Sequence, residues 1–466
     1  MFKRPWFWFA FVFLAILAVL FNLRYADKAL NILNIQISMS RKESLAEAVN
    51  LHNRLGVKFE GYRQATVFNS DSEFQNYVEL RAGGKQAFEK ILSSDDYYPY
   101  YWYVRHFKEG EARELVSYFS PAGKVIGFEE KVPESEPGKA LSRLEATALA
   151  DSIARTQWSV ALDQYTLIQE AQEARPNGRI DHTFTYEHRE LKYNEALIRL
   201  ELIVTGDRLT TIRPFHKIPE QFSKDYAAMR SYNEILAGIA SALMLLLYGI
   251  AMIVWLFLLL RRRQLIWKPA LMWAILIGIF MFFAGLNFIS FQWLGYDTST
   301  SSSSFLTQQI LQNIFQGLLL AAISFITFLV AEAVTREAMP QEVQFWKSFS
   351  RDTAPTKSVL GKVLGGYLFM PIELAYVIGF YYFTQSRWGW WSPASSFSDP
   401  NILGAAMPWV TAIGQALQAG FWEEAMFRAL PLATMLIIGT KLNKKKLFLI
   451  LGIILQAFIF SAAHAG

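Results

Sequence analysis

Hydrophobic and polar residues along this 466-residue chain fall into two regimes. Seven stretches, near 5–22, 235–260, 269–291, 308–334, 358–383, 405–439 and 447–465, are apolar and approach or exceed the ~20 residues a helix needs to span a bilayer. Between the first and second lies a long region in which apolar positions are interspersed with charges and turn residues. There Leu45, Ala48, Val49 and Leu51 predict a helix over 43–56, and Ser142 to Ala154 reads as a second. Strands are expected over 100–107, 114–119 and 124–129, with Ser120-Pro-Ala-Gly as a hairpin turn. Further strands are expected over about 179–191, 196–204 and 209–215, the last two joined by Thr205-Gly-Asp-Arg.

Four regions follow from this pattern. Residues 1–22 form an N-terminal anchor, 23–233 an α+β domain, 234–340 transmembrane helices two to four, and 341–466 a C-terminal membrane region. The predicted fold class is an α-helical multi-pass membrane bundle of about seven spans, with an extracytoplasmic α+β domain inserted after the first. The first span follows Lys3 and Arg4 but lacks a small-residue cleavage site, which favours an uncleaved anchor over a signal peptide. The hairpin–helix–hairpin order in 23–233 hints at a degenerate internal repeat and resembles PepSY-like modules found outside bacterial membranes. The last apolar stretch runs to Gly466 with no polar flank, so at least one further helix is expected beyond it.

Charge sets the orientation. Lys3 and Arg4, Arg261 to Arg263 with Lys268, the loop carrying Arg336, Lys347, Arg351 and Lys357, and Lys441 to Lys446 all fall on one side of alternating crossings. The opposite short loops hold Arg387 amid Asp297, Asp399 and serine-rich turns. The positive-inside rule therefore puts the N-terminus and basic loops in the cytoplasm, and residues 23–233 outside a bacterial-type inner membrane. Trp388, Trp390 and Trp391 then mark the outer interface. Composition agrees with a membrane protein: 53% hydrophobic residues, including 37 Phe and 14 Trp. The net charge of +5 reflects juxtamembrane clusters rather than a nucleic-acid surface, and no Gly-rich nucleotide motif is present. The absence of cysteine excludes disulfides, thiolate metal sites and a cysteine nucleophile.

The chemistry is concentrated in Glu423-Glu424-Ala-Met-Phe427-Arg428, inside an apolar stretch, and in Phe460-Ser-Ala-Ala-His464 on the next. Adjacent carboxylates are costly in hydrocarbon and mark a functional site by default. Residues four apart share a helix face, so Glu424 is expected to pair with Arg428, and Glu423 to lie over Phe427. A carboxylate beside an apolar ring and a charged neighbour suits the task of a general base activating water. Glu424 lies 17 residues before Lys441 and His464 lies 18 after Lys446. Regular antiparallel helices would put both side chains ~26 Å from the basic loop, at one level nearer the outer half of the membrane. Gly420 is expected to permit close helix approach, and Pro431 to perturb the helix.

The pattern E-E-x-x-F-R followed by F-x-x-x-H resembles the first two motifs of the CPBP family, the CAAX prenyl protease 2-like (Abi) intramembrane proteases. The resemblance covers roughly the last 110 residues, and the family's third motif, a second histidine followed by Asn or Asp, has no counterpart before Gly466. It implies hydrolysis of peptide bonds in membrane-associated proteins or peptides. Glu423, Glu424, Arg428 and His464 would be the catalytic set: Glu423 as base, Arg428 orienting Glu424, His464 stabilising an oxyanion, and Phe460 packing the site. A zinc-dependent version would use Glu423, Glu424 and His464 as ligands, and a metal-free version is equally consistent with the motifs. Membrane lipid and a membrane-associated peptide or protein are the implied partners, with no nucleic acid or nucleotide. The rivals are a noncatalytic scaffold or bacteriocin-immunity-type protein, and a transporter relaying protons or ions through Glu373, Glu423 and Glu424.

Other polar residues carry blander readings. Glu373 and Glu332 are expected to pack inside the bundle or snorkel. Gln308, Gln309, Gln312, Asn313 and Gln316 are expected to form interhelical hydrogen bonds, and Gly361-x-x-x-Gly365 to pack helices. His182 and His188 read as surface residues of a strand.

Overall fold

A computed structural model of the chain describes residues 4–341, 345–396 and 399–465. Lys3 and Gly466, used above for orientation and for the end of the last span, lie outside them. The first helix, α1 (Pro5–Ala29), starts with proline at its first turn, where no amide bond is lost. A short strand β1 (Ile32–Leu33) leads into the α+β region: α2 (Arg41–Arg54), β2 (Arg63–Ser70), α3 (Ser72–Arg81), α4 (Gly84–Leu92), β3 (Tyr100–Phe107), β4 (Glu114–Phe119) and β5 (Val125–Lys131). Then come α5 (Arg143–Thr156), β6 (Tyr165–Ala174), β7 (Ile180–Tyr193), β8 (Ala196–Thr205) and β9 (Arg208–Lys217).

The eight strands β2 to β9 form one antiparallel sheet in the order β2-β3-β4-β5-β9-β8-β7-β6. This order makes the repeat explicit. Each half is a helix followed by a four-strand meander, and the halves join through their last strands. Both leading helices open with the same capping box, Ser40 with Glu43 and Ser142 with Glu145, which satisfies two otherwise orphan amides. The seam is short, pairing Phe128 with Ile212 and Glu129 with Thr211. Charge reinforces it: the Glu130 carboxylate of β5, almost fully buried, lies between Arg113 and Arg208 of β9.

Strands β1, β2 and β6 and helices α3 and α4 were not legible in the sequence, while the other strands of the eight-stranded sheet match within a few residues. The expectation for His182 is overturned. It is 2% exposed and hydrogen bonds the Leu141 carbonyl, because its strand lies inside the sheet beneath the segment leading to α5. His188 is half-exposed and bonds Gln164.

Two further histidines lie in the core of this domain. His52 and His106 are fully buried, their rings 4.3 Å apart, with His52 Nε2 bonded to Ser117 and His106 Nε2 to Gln64. Burial, and for His52 also its histidine neighbour, pushes their pKa values down to about 3 and about 4. In the unfolded chain both revert to about 6.5. Below that pH the unfolded state binds protons that the folded state refuses, so stability falls as pH drops from 6.5 toward 4. The expected loss at pH 5 is about 2 kcal/mol per histidine. Thermal unfolding of the full chain in detergent, followed by tryptophan fluorescence at pH 7.5 and 5, measures it, and His106→Gln should remove close to half of the pH-dependent part.

The membrane region begins with α6 (Glu220–Met244), which runs through a π-helical turn at Leu245–Gly249 into α7 (Ile250–Arg261). It continues with α8 (Trp267–Asn287), the short α9 (Ile289–Gln292), α10 (Ser302–Ala338) and α11 (Lys357–Trp388). Strand β10 (Ser395–Ser396) and helix α12 (Pro400–Leu403) precede α13 (Pro408–Leu417), a π-helical stretch Gln418–Ala429, α14 (Leu430–Lys441) and α15 (Lys445–Ala463). Among the described residues, six helices are long and apolar enough to cross a membrane. The seventh expected span is helical as well, but divided into α13, the π-helical stretch and α14, with Pro431 at the last junction.

Small residues set the helix spacing. Gly278 of α8 faces Gly317 and Ala321 of α10, where an added Cβ would lie 2.8 Å from the Gly317 carbonyl and the Ala321 side chain. Gly361 and Gly365 of α11 receive Trp8 and Phe11 of α1, as their spacing predicts. Helices α1 and α11 thus form a pair, further tied by Asn22 Nδ2 donating to the Pro371 carbonyl. Glu373, expected to pack inside the bundle or to snorkel, is exposed on α11 rather than packed inside, without a hydrogen bond or ion pair among the described residues.

The sheet domain is clamped to one end of the bundle. Strand β1 pairs in parallel with β10, and the Asn401 carboxamide exchanges two 2.9 Å hydrogen bonds with the Phe68 backbone, completing the outer edge of β2. The Glu79 carboxylate accepts from Trp391 Nε1 and the Ala394 amide. Arg105 Nη1 donates to the carbonyls of Trp293, Leu294 and Tyr296. At the opposite ends of the helices, Arg262 pairs with Glu337 and Arg336 donates to the Gln264 carbonyl.

Candidate functional site

Glu423 and Glu424 fall within the π-helical stretch Gln418–Ala429. Such stretches are rare and recur at functional sites, because the widened turn re-aims side chains. The second one, Leu245–Gly249, meets the first directly: Tyr248 packs edge-on against Phe427, ring centroids 6.2 Å apart. Phe427 also meets Trp422 at 6.3 Å and Phe460 of α15 at 5.2 Å, forming an aromatic cluster one helical turn from Glu423.

This cluster relates the two sequence motifs. Helices α14 and α15 pack as an antiparallel hairpin across a tight turn at 442–444. Glu423 precedes Phe427 by a turn, and His464 follows Phe460 by a turn. With Phe427 and Phe460 in contact, both polar groups lie on the same side of the ring pair, away from the hairpin turn. Glu423 and His464 thus share one side of the Phe427–Phe460 contact. No hydrogen bond or ion pair joins His464 to either glutamate among the described residues. His464 ends α15, its ring 4.5 Å from Phe460 and its Nδ1 2.7 Å from the Phe460 carbonyl. A carbonyl only accepts, so Nδ1 carries the proton and Nε2 presents its lone pair.

Glu424 turns to a different face. Arg428 Nη1 donates to its carboxylate at 2.5 Å, the expected i,i+4 pair, with both side chains about half-exposed. It opens into a cavity of about 340 Å³ shared with Trp273 of α8, Phe328, Glu332 and Arg336 of α10, and Phe421. Glu332, its side chain 11% exposed, accepts from Arg336 Nε at 3.0 Å. Two glutamate–arginine pairs of identical spacing thus attend one largely apolar chamber. The chamber lies by the final turns of α10 and the first turns of α8, at the end remote from the sheet domain. Gly420, expected to admit a neighbouring helix, faces open space.

Sequence reasoning missed two groups here. The Tyr248 hydroxyl and the Trp422 indole N–H are buried beside Phe427 with no hydrogen-bond partner. Nothing in the order of residues placed Tyr248 opposite the motif, since the pairing arises from the packing of α6 and α7 against the π-helical stretch. Glu332 was legible, because Glu332-x-x-x-Arg336 repeats the spacing of Glu424-x-x-x-Arg428.

A zinc site would require a third protein ligand near the glutamates. Among the described residues, no group of three or more His, Cys, Asp or Glu could hold a metal ion. Glu424 is engaged by Arg428, and His464 reaches neither carboxylate. The residues present do not assemble the zinc set that the resemblance implies, and no chemical step is derived through one. No family model matches the chain, and neither a curated protein nor a solved structure matches it.

Proposed function

We propose that this chain is a multi-pass inner-membrane protein whose helical bundle hydrolyses peptide bonds of membrane-associated proteins or peptides, in the manner of the CPBP intramembrane proteases it resembles. The observation that carries this reading is the shared level of Glu423 and His464 beside the Phe427–Phe460 contact, together with two unpaired buried donors next to it. Glu423 acts as the base that removes a proton from water. His464 Nε2, once protonated, and the Tyr248 hydroxyl are the donors available to a developing oxyanion. Arg428 holds Glu424 in place, and the chamber beyond it offers an apolar recess for a substrate side chain. The basic loops lie in the cytoplasm and the sheet domain outside it, which agrees with their separation to opposite ends of the helices.

The test is cleavage by the purified full chain in liposomes carrying membrane-spanning peptides, with products identified by mass. Cleavage that survives 1,10-phenanthroline supports the metal-free mechanism, while cleavage lost to it requires a metal held with further ligands. Absence of any cleavage, with proton or ion flux dependent on Glu424 and Glu332, would instead favour the transport reading, which the paired carboxylates of the chamber also suit.

A further inference from the structure

Helix α10 presents two unlike faces. Asn313, Gly317, Ser324 and Thr327 are buried against the bundle. Flanking that face, Ser304, Gln308, Gln312 and Gln316 recur every four residues, and all four are exposed. No hydrogen bond reaches the three glutamine side chains among the described residues, so the interhelical bonds expected for them are not made within the chain. Depth makes this costly. Asn313 lies against Gly285 and Gly317 against Gly278, so Gln312 and Gln316 stand beside the apolar length of α8. An amide facing lipid has no partner for its two N–H groups or its oxygen.

We propose that this stripe is a self-association surface along which two copies of the chain pair through α10. Copies inserted in the same direction are related by a two-fold axis along the membrane normal, so each residue near the axis meets its own counterpart at the same depth. Among hydrogen-bonding side chains, only those that both donate and accept can pair with their own counterpart, and primary amides do both. Carboxylates or ammonium groups would repel themselves, and α10 carries no charged residue before Glu332. The small residues Ser303, Ser304 and Thr307 line a shallow groove of about 730 Å³ with Gln308, Gln312 and Phe315, which lets two helices approach. The surface is independent of the hydrolase reading.

The chain has no cysteine, so single cysteines report proximity cleanly. In native membranes, oxidation of the full-length Gln312→Cys variant is expected to give a covalent dimer. Ile253→Cys, 67% exposed on α7, is expected to give none. The double variant Gln312→Leu, Gln316→Leu should weaken dimerisation by ~10-fold or more while leaving the thermal stability of the monomer unchanged, since leucine is at home in lipid. A monomeric wild-type protein, with or without retained lipid, would overturn the proposal. So would equal cross-linking at position 253, or dimerisation unaffected by the leucines.

Discussion

Glu423→Gln is expected to slow peptide hydrolysis by ~10²–10⁴-fold, the usual contribution of a positioned general base. The substitution keeps the shape of the side chain and removes only its capacity to take a proton. Glu423 has no ion-pair or hydrogen-bond partner among the described residues, so the loss should come without a loss of stability. Arg428→Gln and Glu424→Gln should each cost less. Their double variant should cost little more than either, because the two side chains act as one 2.5 Å pair. Tyr248→Phe provides the sharper signature. Its hydroxyl is buried and unpaired, so removing it should leave the protein as stable or more so, yet lower the rate if that hydroxyl donates to the oxyanion. Proteoliposome kinetics paired with thermal unfolding separates the cases. A Glu423→Gln variant that cleaves at the wild-type rate would remove the glutamate from the mechanism and with it the main support for the hydrolase reading.

The parts of this molecule that could be read in advance are those governed by local rules. The apolar stretches became helices because nothing else satisfies backbone groups in lipid, and the spacing of Leu45, Ala48, Val49 and Leu51 marked a helix in the sheet domain. The Glu424–Arg428 pair followed from four-residue spacing alone. What could not be read depends on partners distant in sequence. Strand β6 is largely exposed and rich in Gln and Glu, so it lacks a buried-face pattern and is held by pairing with β7. Likewise His182 reads as a strand-surface residue until the Leu141 carbonyl is brought over it. The π-helical register at Gln418–Ala429 is a tertiary outcome as well, since nothing in the residue order marks it. The candidate site was legible as residues and not as a chamber: Glu332 and Tyr248 join it only through packing.

The second large effect is expected at the seam between the domains. Arg105→Ala should destabilise the docked state by about 3–5 kcal/mol, the range for removing one partner of a buried ion pair. Arg105 is 7% exposed, and its Nε donates to Glu114 at 2.6 Å. Its Nη1 serves three backbone carbonyls in the loop between α9 and α10, so the substitution leaves those oxygens unmet and Glu114 with only Lys131, 3.8 Å away, as an ion-pair partner. The same loop packs Trp293 and Tyr296 against Phe107, at ring separations of 5.8 and 5.4 Å, and Glu109 accepts from the Ser302 amide at the start of α10. Loss of Arg105 should therefore loosen 293–302 while the distant strands β7 and β8 keep their protection, which hydrogen exchange reads peptide by peptide. Adding Glu114→Gln should recover part of the loss, because it removes a carboxylate left with only the 3.8 Å Lys131 contact. Asn287, the last residue of α8 and a few residues before this loop, bonds Thr411 and the Met407 backbone, which ties α8 to α13 just ahead of the stretch that carries the glutamates. If the sheet domain controls the site, Arg105→Ala will change the cleavage rate without touching a glutamate. Unchanged cleavage with a loosened loop would reduce the domain to a tether.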